Sequence, residues 1–394
     1  MHLFKLSNIV QDYSWGSKTS LMNLFDIPNP KLCHQAELWM GAHPNGCSQA
    51  FDGKLLSEII ASKPRDILGQ RSYNLFGELP FLFKVLAAEA PLSIQVHPNK
   101  AKSELGFARE NRLGLPLGDP KRNYKDPNHK PELVYALTPY KAMNGFRPIE
   151  VIVALFEEFK IDSLSTEIQS LAVNPTSEQL KAFFYRVMSL WGPEKEQILK
   201  ELLVPRELGG LSKLALEAKE YIERFNNFYP SDIGILAPLM FNTIELQPGE
   251  AMFLYAETPH AYVSGTALEI MANSDNVLRA GLTPKHIDVL ELIDNTKFEP
   301  IAPQNLLMEP EHNQGRLVYP VPVEDFSFDI VTVELVTAPQ QLDSAEILFC
   351  LEGNVAISSG NEKLTLAKGE SIFISCGAKE YFYSGQGIIA RAYN

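Results

Sequence analysis

The chain of 394 residues carries 35 Lys+Arg against 48 Asp+Glu, a formal net charge of −13. Nucleic-acid affinity rests on clustered cations that displace condensed counterions, so an anion of this size is a poor partner for a phosphate backbone and no nucleic-acid partner is expected. With 45% hydrophobic and 10% aromatic residues the chain can bury large cores, and its length predicts two or three domains at roughly 100–200 residues each. No apolar run approaches the roughly 18–20 residues that span a bilayer, and the start MHLFKLSNIVQDYSWG lacks an export-signal pattern, so no membrane partner is expected. Cys33, Cys47, Cys350 and Cys376 are too few and too scattered for a disulfide scaffold, and no CxxC pair is present. These features predict a soluble protein of a reducing, cytoplasmic compartment.

From Phe51 to about Gly145 one helix mixes with strands: Leu55, Ile59 and Ile60 fall at helical spacing before Pro64, and PFLFKVLAA (80–88) and PLSIQVHP (91–98) read as strands. Between Pro148 and Pro230 the texture is helical. Thr176 and Gln179 resemble a capping box, after which Leu180, Phe183, Phe184, Val187, Met188 and Trp191 form an apolar face that predicts core packing, and further helices are expected over Lys195–Leu203 and Leu211–Phe228. Strands resume at NTIELQPGEAMFLYAETPHAYV (242–263), with Pro248-Gly249 as the turn between its arms. Thr283-Pro284 then opens a predicted helix through Ile287, Leu290 and Ile293. EPEHNQGRLVYPVPVED (309–325) reads as a polar linker. After it FSFDIVTVELV, AEILFCL, NVAIS, KLTL, ESIFIS and GIIARA are short strands separated by turn signals such as Glu352-Gly353-Asn354 and Gly360-Asn361, the pattern of a β sandwich or barrel. The expected class is mainly β with a helical insertion: a split β core over 1–147 and 235–314, a helical domain over 148–234 and a C-terminal β domain over 315–394. The one internal echo, AHPNG (42–46) against VHPNK (96–100), is too short for a repeat.

Chemistry concentrates in three segments. Alternation along a strand sends Leu92, Ile94 and Val96 to one face and Ser93, Gln95 and His97 to the other. HKPELVYALT (129–138) places Lys130 and Glu132 on a common face, and TPHAYV aligns His260 with Tyr262. Gln95, His97, Glu132 and His260 offer two imidazoles, one carboxylate and one amide oxygen, all able to bind a borderline divalent ion such as zinc. The same residues equally suit a hydrogen-bonded polar β pocket without metal, so spacing alone leaves both open. His2, His34, His43, His129, His286 and His312 share no face with this set.

YSWGS (13–17), AELWMGAHP (36–44), PLSIQVHPNK (91–100), DPNHKPELVYAL (126–137), MNGFRP (143–148) and TPHAYVSGTALEIMANSDNVLRAGLTPKH (258–286) closely resemble the zinc-dependent type I mannose-6-phosphate isomerases, in the family's order. The resemblance implies a cupin-like barrel or jelly-roll core in which Gln95, His97, Glu132 and His260 hold one zinc ion per chain. It also implies an active site lined by Ser93, Lys130, Glu269, Asp275 and Arg279, with Tyr262 in its wall. The implied substrate is a sugar phosphate and the implied protein a monomer that interconverts mannose 6-phosphate and fructose 6-phosphate. Such a reaction moves one proton between C1 and C2 and must stabilise oxyanion charge, and an amide ligand such as Gln95 leaves an ion's charge uncancelled. Lys130, Glu269, Asp275 and a metal-held water are candidates for the proton, with no unique assignment. The fixed fork of Arg279 suits charge stabilisation or the phosphate, Lys100 is a second phosphate candidate, and Trp15 and Tyr262 are candidates to stack on the sugar. An iron oxygenase on the same histidines and carboxylate, and a non-catalytic sugar-phosphate sensor, are the competing expectations.

Overall fold

The computed structural model describes residues 1–205, 210–313, 315–334 and 339–394. Two ten-stranded sheets and a layer of helices make up these residues, and neither sheet closes on itself among them, so the expected barrel is open. The first sheet holds the C-terminal strands Ser327–Glu334, Glu346–Ser359, Glu362–Ala367, Ser371–Ile374 and Glu380–Tyr393. It also recruits the first strand of the chain, Leu3–Ser7, which pairs with Ser371–Ile374 and carries Gln49–Ala50 on its other side.

The expected linker is partly sheet: Glu311–Asn313 pairs with Arg316–Tyr319, which pairs in turn with Ser327–Glu334. Gln314 inside that linker, and Leu335 and Val336 at the end of FSFDIVTVELV, lie outside the described residues. Glu352-Gly353-Asn354, expected as a turn, is a bulge. The strand Glu346–Ser359 runs through it with a register shift between Cys350 and Glu352, and Gly353 adopts φ +77°. Gly360-Asn361 does turn the chain, from Glu346–Ser359 into Glu362–Ala367.

The helical layer follows the apolar spacing. Ile149–Glu158, Ser165–Val173, Ser177–Met188, Gly192–Leu202 and Lys213–Phe228 bury one face each, and the Thr176 hydroxyl accepts the Gln179 N–H at 3.3 Å to start the third. Trp191 departs from expectation: the helix ends at Met188, so Trp191 becomes the cap of the next helix and is 79% exposed instead of packed. The layer is riveted to the β core by Phe146, whose ring meets Phe241, Phe184 and Phe298 at 5.1, 5.4 and 5.5 Å. Burying a ring of that size is worth about 1.5–3 kcal/mol in apolar area alone.

The second sheet builds the site. Its longest strand, His260–Ala272, pairs in its first half with Tyr140–Phe146 and in its second with Phe81–Ala88 and Glu132–Ala136. Between Tyr262 and Ser264 the register shifts by a bulge. The shift reverses the alternation, so even-numbered His260 and Tyr262 before it share a side with odd-numbered Glu269 beyond it. Gly265 makes the bend: its φ is +111°, and a Cβ there would lie 2.4 Å from the Pro139 carbonyl oxygen. The two arms around Pro248-Gly249 pair with different partners, Phe241–Leu246 with Tyr140–Phe146 and Ala251–Leu254 with Glu132–Ala136. PLSIQVHP is mostly extended chain with a short strand, Gln95–Val96, held between His260 on one side and Leu278–Arg279 on the other.

The helix expected from Thr283 begins only at Val289, capped by the Asp288 side chain, which accepts the Glu291 N–H at 3.1 Å. Asp232 captures the Leu282 and Thr283 N–H groups at 2.7 and 3.2 Å and keeps the intervening segment a loop. His286 sits in that loop and Leu290 is exposed.

Gly265→Ala is expected to destabilise the protein by about 1–3 kcal/mol through left-handed strain and to lower activity by moving Glu269 relative to Tyr262. Thermal melts with activity assays check this; an unchanged melting temperature contradicts it.

Candidate active site

Glu132 sits at the start of the strand Glu132–Ala136, 2% exposed, between two imidazoles. His97 Nε2 lies 3.4 Å from Glu132 Oε1 and His260 Nε2 lies 3.4 Å from Glu132 Oε2, with one ligand atom of each of the three residues within 4.8 Å of the others. The other ring nitrogens are engaged by backbone: His97 Nδ1 with the Asn276 carbonyl at 2.7 Å and His260 Nδ1 with the Thr258 carbonyl at 2.9 Å. Carbonyls accept only from N–H, so both rings carry a proton on Nδ1 and turn an Nε2 lone pair toward Glu132. His97 Nε2 is buried without a hydrogen-bond partner. Burial first, and then Lys130, push the His97 imidazolium down to about 4, which keeps the ring in its neutral, ligand form at neutral pH. Glu132 is held well below the usual carboxylate range, with the Lys130 ammonium foremost in outweighing the burial that opposes ionisation. An orphaned lone pair, a second one beside it and an ionised carboxylate fit a divalent cation. Gln95, opposite His260 in register, donates through Nε2 to Ser93 Oγ at 3.4 Å, which leaves its Oε1 as the unspent acceptor.

A cavity of about 50 Å³ opens on this group, lined by Ser93, Gln95, Lys130, Glu132, His260 and Tyr262, and also by Glu37, Lys84 and Glu269. Lys130 Nζ meets Glu132 Oε1 at 2.9 Å. The Tyr262 hydroxyl lies 2.9 Å from Glu132 Oε2 and 2.8 Å from Glu269 Oε1, and burial with the two carboxylates raises its pKa so that it stays protonated. Glu269 Oε2 accepts from Lys84 Nζ at 2.8 Å, and Lys84 lies 3.9 Å from Glu37, whose other oxygen accepts the Trp39 indole N–H at 2.6 Å. Cross-strand register explains the row: Trp39 faces Lys84 and Lys84 faces Glu269. Lys84 and Glu37 stand outside the sequence-derived set. A single lysine inside the buried run PFLFKVLAA was the available signal, since a buried ammonium requires an anionic partner.

Asp275 is not among the residues lining the cavity; its side chain is 42% exposed, and His43 and Lys130 hold its carboxyl low against the opposing effect of partial burial. Arg279 pairs in register with Gln95 and is half buried, and burial alone pushes its guanidinium down, with no carboxylate offsetting it among the described residues. Lys285, in the loop that replaced the expected helix, is pushed down by Arg279 first and then by burial, which puts the two cations within electrostatic reach of each other. Lys285 too was absent from the sequence-derived set. Trp15 is half buried, stacks on Tyr13 at 5.8 Å and packs against the apolar cluster containing Tyr262. Lys100 is placed elsewhere: it bonds Asn128 Oδ1 at 2.5 Å and lines a separate cavity of about 530 Å³ with His129 and Asp325.

Two imidazoles and one carboxylate converging inside an antiparallel β core define a cupin-type metal centre. Residues 3–149 match the family profile "Phosphomannose isomerase type I, catalytic domain" and residues 316–394 match "Mannose-6-phosphate isomerase, cupin domain". The chain is 47% identical over 396 residues to the mannose-6-phosphate isomerase of Escherichia coli K12, covering 99% of both chains, and 36% identical over 419 residues to that of Homo sapiens, covering 96% and 94%. Among solved structures it matches a zinc-bound mannose 6-phosphate isomerase with a TM-score of 0.91 and 46% identity over 100% of both chains. The apo form from Salmonella typhimurium matches with a TM-score of 0.91 and 46% identity, over 100% of this chain and 99% of that one. The chain belongs to the type I phosphomannose isomerase family. The oxygenase and sensor expectations are not favoured by these matches.

Tyr262→Phe removes the hydroxyl that bridges Glu132 and Glu269 and is expected to cost about 1–3 kcal/mol of stability, the penalty for leaving buried acceptors unpaired. Chemical denaturation of the metal-free protein measures it; a variant as stable as the parent contradicts the bridge.

Proposed function

We propose that the chain interconverts mannose 6-phosphate and fructose 6-phosphate through a cis-enediol(ate), as a monomer of cytoplasmic mannose metabolism, with one zinc ion held by Gln95, His97, Glu132 and His260. The observation that supports it is, in one chain of this family, an orphaned His97 Nε2 beside the buried Glu132 carboxylate, with Arg279 in register beside Gln95 and no carboxylate paired with it among the described residues. The first suits a divalent ion and the second suits the dianionic phosphate of a sugar.

Beside one carboxylate ligand a zinc ion keeps net positive charge and, when bound, lends Lewis acidity to the oxygens on C1 and C2. Gln95 adds no charge to that balance. Arg279 and Lys285 hold the phosphate, their mutual repulsion relieved when the anion enters. Ser93 and Lys130 present a hydroxyl and an ammonium to the sugar oxygens. Lys130 serves twice, since its contact with Glu132 also keeps that carboxylate ionised. Among the acids named for the site Asp275 is the one open to solvent, its side chain 42% exposed, whereas Glu37 and Glu269 are buried beside the Lys84 ammonium. Asp275 therefore carries the proton between C1 and C2, ionised and ready to accept it at neutral pH. Glu269, Tyr262 and Lys84 keep Glu132 oriented. The split into 1–147 with 235–314, 148–234 and 315–394 belongs to the same proposal, the first unit carrying the chemistry.

Dialysis against a chelator is expected to abolish conversion of mannose 6-phosphate in a coupled assay, and zinc to restore it; activity that survives without bound metal overturns the metal assignment. Gln95→Ala and His97→Ala are expected to lose metal and activity together. Arg279→Ala is expected to keep its metal while kcat/KM falls about 100-fold or more, the loss of a charge-assisted contact worth roughly 2–4 kcal/mol. Metal analysis beside kinetics separates the two classes, and an Arg279→Ala protein without metal overturns the division of roles.

A further inference from the structure

We propose that His43 is a positioning residue for the isomerisation: together with Asn45 it fixes the Asp275 carboxylate. This rests on the assignment of Asp275 as proton carrier. The loop AHPNG (42–46) follows the strand Glu37–Met40 and lies far in sequence from Asp275, yet both carboxylate oxygens are met from it. His43 Nε2 is 3.4 Å from Asp275 Oδ1, and Asn45 Nδ2 donates to Asp275 Oδ2 at 3.1 Å. His43 is 5% exposed, and its Nδ1 accepts the Asn45 backbone N–H at 3.2 Å, which puts the ring proton of the neutral form on Nε2, facing Asp275. The ring is set edge to face against Trp39 at 5.1 Å, and Trp39 is itself tied to Glu37. From the other side Asp126 Oδ2 accepts the Asp275 backbone N–H at 2.8 Å.

An exposed aspartate held by neither contact would sample several rotamers, and a displacement of about 1 Å at a reacting group can cost on the order of 100-fold in rate. A buried imidazole with both nitrogens committed removes that freedom. The charged and titratable groups facing Asp275 are His43, Tyr13, Lys84, Lys130 and Asp126; partial burial pushes its carboxyl up, and His43, then Lys130 and Lys84, draw it down. Without His43 the carboxyl rises toward or above its ordinary value, so the acid limb of activity moves to higher pH.

The test is steady-state kinetics of the zinc-loaded protein. His43→Ala is expected to lower kcat about 10–100-fold, with KM and metal content little changed, and to shift the acid limb of kcat/KM upward. His43→Gln, whose amide N–H can reach the same oxygen, is expected to recover most of the kcat and to restore the limb. Asn45→Ala leaves the buried ring intact and reads the other contact in a variant whose fold is not at risk, with about a 3–10-fold loss in kcat expected from partial misplacement. Overturning results are a His43→Gln protein as slow as His43→Ala, or full kcat and an unmoved acid limb in His43→Ala or full kcat in Asn45→Ala while Asp275→Asn is inactive. Full kcat in Asp275→Asn instead removes the proton carrier itself, and the positioning role falls with it.

Discussion

A single buried carboxylate governs this site. Glu132 is 2% exposed, and an ion so far from water persists only if its surroundings supply charge and donors. Lys130 supplies the charge at 2.9 Å and Tyr262 a hydroxyl at 2.9 Å, while two imidazoles turn unprotonated nitrogens toward it from 3.4 Å. Those nitrogens are acceptors and cannot satisfy a carboxylate. Their arrangement has a physical rationale only with a cation between them, and the backbone carbonyls of Asn276 and Thr258 enforce it by fixing the tautomers.

The sheet exists in its present form to deliver that geometry. A regular strand would send Tyr262 and Glu269 to opposite faces; the bulge before Ser264 and the left-handed Gly265 bring both to the carboxylate. Glu269 in turn anchors Lys84, and Lys84 anchors Glu37 through a row of cross-strand neighbours. The chain as a whole is strongly acidic, with a net charge of −13. Attraction of a dianionic sugar phosphate must therefore come from local cations, and Arg279, half buried with no carboxylate offsetting its charge among the described residues, is the one proposed for it.

Much of this was legible in the chain. Period-two alternation put Ser93, Gln95 and His97 on one face, and Lys130 with Glu132, because extended chain preserves parity wherever no bulge intervenes. The helical insertion was equally readable, because five amphipathic helices keep one apolar side each. What resisted reading had tertiary causes. Trp191 continued the apolar rhythm of a helix that ends at Met188, and the Thr283-Pro284 start signal was overridden by Asp232, 51 residues upstream of Thr283, which captures the backbone amides. Glu269 joined the site through a parity reversal invisible to alternation. Lys84, Glu37, His43 and Lys285 were hidden in apolar or loop segments whose partners lie on other strands. Glu352-Gly353-Asn354 reads identically as turn or bulge until the pairing partner is known.

One cation is expected in the space that His97, Glu132 and His260 enclose, with Gln95 beside it. Zinc-edge anomalous diffraction from crystals of the zinc-loaded protein tests this directly. One anomalous peak per chain is expected, bounded by His97 Nε2, Glu132, His260 Nε2 and Gln95 Oε1. A peak centred on other residues, or none between these four in protein that carries stoichiometric zinc, would contradict it.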